Sequence, residues 1–176
     1  MINDEAICCC LHDSPIGPLL LGARSGKLTF LYFPKDGKAR EIEPGWSLDP
    51  DGFKMARRQL DGYFAGTLEV FSLPYQLEGT VFQRAVWAAL VQIPFGSVRS
   101  YGDIAKAIGQ PGAARAVGLA NNANPLPIIV PCHRVIGSDG SLVGFGGGLD
   151  LKMRLLQHEG IDPGQIRTPG QMTFGF

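Results

Sequence analysis

A chain of 176 residues can bury one core or two small ones, and no apolar run approaches the roughly 20 residues that a bilayer-spanning helix needs, so a helical membrane protein is excluded. The opening MINDEAICCC lacks the basic lead and long apolar stretch of a secretory signal, and the chain reads as cytoplasmic. Net charge is zero, but residues 1–80 carry 8 Lys/Arg against 11 Asp/Glu while residues 81–160 carry 7 against 4, so any polyanion is met locally and in the second half.

AICCCLH, PLLLGA after the turn signal SPIGP, and KLTFLYF after RSG read as three strands of an antiparallel meander. In FKMARRQLDGYFAG, Phe53, Ala56, Leu60 and Phe64 share one helical face and Gly66 closes the helix. Residues 67–79 read as a linker. Thr80 with Gln83 forms a capping pattern ahead of an apolar face of Phe82, Val86, Ala89, Leu90 and Ile93. Ser100 with Asp103 repeats it ahead of YGDIAKAIG. The turn QPG then leads into AARAVGLANN, and two short helices so joined suggest a helix-turn-helix. After GFGGG, a last helix turns Leu149, Met153 and Leu156 inward and stops at Gly160. The fold class expected is α+β: an N-terminal α/β domain with antiparallel strands, a helix and a linker over 1–79, then a mainly helical domain over 80–176. The tail at 161–176 carries no functional signal.

Four cysteines, Cys8, Cys9, Cys10 and Cys132, make a poor disulfide framework, because neighbours on a strand point to opposite faces. Cys132 ends the stretch NPLPIIVPCHRVIG. Its prolines bias their predecessors toward extended backbone, so residues 128–130 are expected to run as a buried extended segment. A free thiol has a pKa of about 8.5 and needs a base to become a nucleophile at neutral pH. His133 can be that base; Glu159, in the last turn of its helix where the macrodipole disfavours an anion, is either a solvated terminal glutamate or paired with a cation, and in the second case it can orient His133. From spacing alone, a reactive Cys132 and a buried structural one are equally open. Between residues 107 and 133 the single formal charge is Arg115, set among Ala114, Ala116 and Gly118; such a helix can approach a nucleic-acid groove closely or simply pack in a core. Cys8, Cys10 and His12 share a strand face, but alternate strand residues seldom converge on one tetrahedral metal centre, so no metal is expected.

The run PCHRVIG, with ARAVGLANNANPLPIIV before it and GFGGGLDLKMRLLQHEG after it, resembles the methylated-DNA protein-cysteine methyltransferases, also called O6-alkylguanine-DNA alkyltransferases. The specific match spans about residues 80–160, with SPIGPLLLGA and the 61–66 helix end a looser likeness. The resemblance implies that Cys132 accepts an alkyl group, that His133 deprotonates it through a water, that Glu159 completes the network, and that Asn124 braces the nucleophile's turn. It further implies that Tyr101 crowds the target phosphate and protonates the departing guanine. Arg115 replaces a flipped nucleotide while Ala114, Ala116 and Gly118 approach the DNA minor groove, and Val135, Phe145 and Gly146 line the base pocket. The expected partner is double-stranded DNA containing alkylated guanine, bound by a monomer with no cofactor and no membrane contact.

Phe145 stands where some relatives carry tyrosine and Gly146 where some carry serine, which shifts leaving-group stabilisation toward Tyr101 and backbone amides. Asn121 and Asn122 stand where other members carry bulkier or basic residues. The function expected is stoichiometric transfer of a methyl or alkyl group from O6-alkylguanine to Cys132, the protein being consumed because a thioether is not readily cleaved. The alternatives are a thiol hydrolase using Cys132, His133 and Glu159, and a non-catalytic binder of alkylated DNA.

Overall fold

In CCCLH the burial does not alternate: strand β1 (Cys8–His12), which lies between two neighbours, buries Cys9, Cys10 and His12 alike. The computed structural model describes residues 6–162, 164 and 166. β1 pairs antiparallel with β2 (Leu19–Arg24), and β2 with β3 (Lys27–Tyr32). The polar stretch after β3 contributes β4 (Ser47–Leu48), which pairs parallel to β1 and extends the expected meander to the order β3-β2-β1-β4. Gly22 marks a register shift in β2. A Cβ there would fall inside the Phe30 ring, so only glycine lets Phe30 lie against Cys9 and Leu20, with the Trp46 ring 4.9 Å away.

Helix α1 (Lys54–Phe64) buries Ala56, Leu60 and Tyr63. The inward stripe steps by three after Leu60, so Tyr63 takes the buried place expected of Phe64, which is half-buried. His12 Nε2 lies 3.2 Å from an Asp61 carboxylate oxygen, close enough for charge attraction although the geometry is not that of a hydrogen bond.

The described residues fall into two units, one running up to Gly79 and including Pro125–Ile129, the other made of Thr80–Asn124 and the residues from Val130 onward. Leu31 N–H donates to the Pro125 carbonyl at 2.8 Å, and Leu126 and Ile128 are buried. Residues 128–129 form a turn rather than the extended run expected, with Ile128 at φ +74°, a left-handed conformation that strains a β-branched residue by about 1–3 kcal/mol.

The second unit contains α2 (Val81–Val91), β5 (Arg99–Ser100), α3 (Tyr101–Ala107), α4 (Ala114–Asn122), a 3-10 turn (Cys132–Arg134), β6 (Val135–Ile136) and α5 (Leu149–His158). Both capping patterns are complete boxes: Thr80 and Gln83 close α2, and Ser100 and Asp103 close α3, with side chain and backbone bonded reciprocally. α3 and α4, joined through residues 108–113, form the helix-turn-helix, and α2 backs it, the Trp87 indole N–H donating to the Ala120 carbonyl at 2.8 Å. β5 and β6 pair in parallel, Arg99 opposite Val135. Ile136, Leu142, Leu156 and Ile166 form a core that receives Leu149 and Met153, the inward residues expected of α5. No helix among the described residues is long and apolar enough to cross a membrane.

Candidate active site

Proline fixes the approach to Cys132. Pro131 sits at φ −80°, ψ 64°, the centre of a three-residue turn in which the Cys132 N–H donates to the Val130 carbonyl at 2.8 Å. The same carbonyl accepts from Asn124 Nδ2 at 2.8 Å, and the Cys132 carbonyl accepts from Asn121 Nδ2 at 3.2 Å. Two amide side chains, Asn121 in the last turn of α4 (Ala114–Asn122) and Asn124 just beyond it, thus hold the backbone on either side of Pro131. The 3-10 turn that follows carries Cys132, His133 and Arg134, all buried.

Glu159 gathers the last two. Its Oε1 lies 2.7 Å from His133 Nε2, Arg134 Nε donates to Oε2 at 2.8 Å and Nη2 to Oε1 at 3.0 Å, and the Gly96 N–H reaches Oε2 at 3.3 Å. Arg134 Nη1 is bound to the Ile93 carbonyl at 2.6 Å. Burial raises the Glu159 pKa, but His133 and Arg134 outweigh it and hold the carboxylate at about 2. Burial lowers the His133 pKa despite Glu159, so the imidazole is neutral at pH 7, and Arg134 is the permanent cation that keeps Glu159 ionised. An ionised carboxylate only accepts, so Nε2 carries the ring proton and Nδ1 presents a lone pair. That Nδ1 is buried with no hydrogen-bond partner among the described residues.

This arrangement makes stability pH-dependent in a defined sense. Below its ordinary value near 6.5 the unfolded imidazole gains a proton that the buried folded one resists, so stability is complete above pH 6.5 and is lost as pH falls toward the lower folded value. The loss is up to about 1.4 kcal/mol per pH unit for one histidine. Urea unfolding at pH 7.5 and 5.5 is expected to show it, with a shallower slope in His133→Gln; His12, also lowered by burial, supplies the remainder. Equal slopes in the two proteins would contradict a neutral buried His133.

Burial pushes the Cys132 thiol up to about 11, against the pull of the Asn124 hydrogen bond, the Lys152 charge and the amides of Cys132 and His133. At rest it is a thiol. Tyr101 is pushed up to about 12 by burial and then by Cys132, and its hydroxyl donates to the Val143 carbonyl at 3.0 Å. Lys152, fully buried, donates from Nζ to that same carbonyl at 3.0 Å, and its pKa is lowered to about 8 by burial, with Cys132 opposing.

An open groove of about 570 Å³ runs past this cluster, walled by Tyr101, Ala114, Arg115, Gly118 and Asn122 on the helix-turn-helix and by the 137–144 turn. Arg115 and Ala116 are exposed, and Gly118 lies against the Tyr101 ring, where an added Cβ would make ordinary contact at 3.8 Å. Cys132 is not among the groove's walls. Val135 is fully buried in β6 and does not line the groove either, whereas Phe145 is half-buried with its ring 6.0 Å from Lys152 Nζ. Gly146 is exposed, with open space where a side chain would stand. Among the described residues no group of three or more His, Cys, Asp or Glu side chains is placed to hold a metal ion.

Three residues of this site went unread in the sequence. Arg134, within PCHR, carries no local signal of its role, because the carboxylate it holds and the carbonyl it binds, Glu159 and Ile93, are far from it in sequence. Lys152 stands three residues after Leu149 and four before Leu156, on the apolar face of α5, and that spacing was the available signal. Asn121, read as replacing a bulkier or basic residue, is buried at 2% exposure and bonds the Cys132 backbone; it shares the inward face of α4 with Val117 and Ala120. Leu119, by contrast, is 71% exposed one helical turn from Arg115.

Two family models match the chain: the ribonuclease-like domain of 6-O-methylguanine DNA methyltransferase over residues 7–77, and the DNA binding domain of the same protein over residues 81–161. A methylated-DNA–protein-cysteine methyltransferase of Methanosarcina acetivorans is 51% identical over 150 residues, covering 85% of this chain and 96% of the relative. One from Mycobacterium tuberculosis is 50% identical over 164 residues, covering 92% and 94%. The crystal structure of the Mycobacterium tuberculosis O6-methylguanine methyltransferase superposes with a TM-score of 0.79 at 51% identity, covering 87% of this chain and 92% of that one. The structure of OGT of the same organism in complex with DNA gives 0.80 at 49% identity, covering 90% and 94%.

Proposed function

The chain belongs to the 6-O-methylguanine DNA methyltransferase family, whose curated members are methylated-DNA–protein-cysteine methyltransferases, and from that membership we infer that Cys132 is the sulfur that takes the alkyl group. The activity is DNA repair by direct transfer of an alkyl group from O6-alkylguanine to a cysteine of the protein itself, one repair per molecule. The observation that carries Cys132 is its neighbourhood. It sits on a proline-fixed turn beside a neutral buried imidazole that Glu159 orients, whereas Cys8, Cys9 and Cys10 belong to the sheet of the other unit.

The substrate is double-stranded DNA, and one chain supplies every group, so the protein acts as a monomer without a cofactor. All four cysteines are free, which fits a reducing, cytoplasmic compartment. The helix-turn-helix enters the minor groove with α4, whose Ala114, Ala116 and Gly118 keep the backbone close. The alkylated base is rotated out at a cost of a few kcal/mol, less for a badly paired lesion, and Arg115 fills its place. The base pocket is formed by Phe145 and Gly146 together with Tyr101, and Val135, fully buried in β6, supports it only from within the core.

His133 Nδ1 takes the thiol proton through a bridging water, which a polar buried atom of this kind recruits. Glu159 stabilises the imidazolium that results, and Asn124 donates to the sulfur. The thiolate attacks the alkyl carbon, a C–S bond forms, the C–O6 bond breaks, and its electron pair stays with guanine. Tyr101 gives guanine a proton and regains one from solvent, and a thioether is left on Cys132.

Titration of a duplex carrying one O6-methylguanine against the protein tests this reading. Dealkylation is expected to plateau at one per molecule; a higher value would indicate a thiol hydrolase, and none a non-catalytic binder. In the same assay Arg115→Ala should slow repair of the duplex by about 10-fold or more, the order of a lost flipping aid of ~1–3 kcal/mol, while sparing reaction with the free alkylated base. Equal losses on both substrates would remove Arg115 from the flipping step.

A further inference from the structure

Leu119 is 71% exposed in the middle of α4, while Val117 and Ala120 beside it are buried. An exposed leucine alone is ordinary, and its setting is what carries meaning. Arg115, Leu119 and Asn122 recur at i, i+4 and i+7, so they share the outward face of the helix, and Ala116, also exposed there, is short. Asn122 lies against the 137–144 turn, where a Cβ on Gly144 would stand 3.0 Å from its Nδ2. Leu119 is therefore the long apolar side chain that α4 presents beside Arg115. Residues 104–138 contain no Asp or Glu, so no carboxylate of this stretch repels a phosphate backbone.

We propose that Leu119 sets a sequence-context preference for repair: it packs on the floor of the minor groove beside the extruded nucleotide and favours an A·T pair over a G·C pair there. The inference rests on α4 entering the minor groove with Arg115 in the place of the flipped base. Four residues of helix advance about 6 Å and base pairs follow about every 3.4 Å, so Leu119 meets a pair one or two steps from Arg115. At that depth the two kinds of pair differ in one group. A·T presents only the adenine N3 and thymine O2 acceptors, with the adenine C2–H between them, whereas G·C adds the guanine N2 amino donor. Leucine has no acceptor to offer it. Packed on G·C, the side chain strips water from that amino group and leaves it unpaired, which lowers affinity by about 5- to 150-fold. On A·T the same methyl groups meet an apolar C–H, and the burial is favourable.

The test uses the full chain and three unmodified duplexes of equal length, built from A·T, G·C or I·C pairs, with affinity read by fluorescence anisotropy at one salt concentration. Inosine lacks the N2 amino group, so I·C joins a minor groove free of that donor to the major-groove face of G·C. The parent should bind A·T and I·C within about twofold of each other, and both about fivefold or more tighter than G·C. Leu119→Ala should weaken binding to A·T and I·C by about 5- to 20-fold, the loss of the buried methyl groups, and bring all three duplexes within about twofold. Leu119→Met, which keeps an apolar side chain of similar volume, should keep the parent's order. The same order is expected in the rate of repair of one O6-methylguanine flanked by each kind of pair. A parent that binds I·C like G·C, or that ranks G·C first, overturns the proposal, and so does a Leu119→Ala protein that keeps the parent's ranking. Leu119 is exposed, so neither substitution disturbs the core. Competition with netropsin, a minor-groove ligand of A·T duplexes, keeps the underlying reading separate. Displacement without a preference for I·C over G·C leaves minor-groove entry standing and overturns the role of Leu119 alone; no displacement fails minor-groove entry, and the proposal with it. Binding needs no alkyl transfer, so a parent that takes up no methyl group would fail the acceptor assignment while the preference is still measured.

Discussion

Replacing Arg134 with methionine is expected to destabilise the protein by about 3–5 kcal/mol, the cost of leaving a buried carboxylate without its permanent cation. Glu159 is 4% exposed, and Arg134 meets it with two nitrogens while a third holds the Ile93 carbonyl. The pH dependence gives the cause away. In the parent, Glu159 titrates at about 2 against an ordinary carboxylate near 4.5, so the folded state binds fewer protons than the unfolded one between those values. Its contribution is therefore whole above about pH 4.5 and disappears as pH falls toward 2. Without Arg134, only His133 and the Gly96 N–H oppose burial, so the Glu159 pKa rises from about 2 and that slope flattens. Chemical denaturation of both proteins from pH 7 down to pH 3 checks it. Alkyl transfer should fall as well, because Glu159 loses the two Arg134 hydrogen bonds that fix it against His133. A variant with unchanged stability and an unchanged slope would show that Glu159 is not held by Arg134.

The second large effect is at the sulfur. Cys132→Ala is expected to abolish alkyl uptake altogether while keeping affinity for duplex DNA, since the walls of the groove, Arg115 among them, do not include Cys132. The fold should survive: the turn at Pro131 depends on backbone bonds and on Asn124 and Asn121, which an alanine leaves in place. Retained transfer in this variant would move the acceptor elsewhere.

How legible this was in the sequence depended on range. The capping boxes at Thr80 and Ser100 act within four residues, and both helices begin where those residues set them. The three long strands were equally readable from their turns. The β4 pairing was not, because Ser47 and Leu48 are exposed and polar context hides a two-residue edge whose partners lie some 40 residues back. Ile128 defeated the proline rule: extended geometry was expected, and the chain instead turns there at positive φ with its side chain buried. At the site, Cys132, His133 and Glu159 stood out by residue type, but Arg134 gains its meaning from Ile93 and Glu159, far away in sequence. Lys152 and Asn121 are polar residues on apolar helix faces, and they were read by type rather than by face. A polar residue at an inward position is the signal to follow, since burying it has to be compensated by a partner.

The central claim is that a single sulfur, Cys132, receives the alkyl group and keeps it. Intact mass spectrometry of the protein after incubation with a duplex containing O6-methylguanine, followed by peptide mapping, tests it directly. The account predicts one methyl-sized increment, located on Cys132, that persists on long incubation and is absent with an unmodified duplex. An unmodified protein beside demethylated DNA, or an increment on Cys8, Cys9 or Cys10, would contradict it.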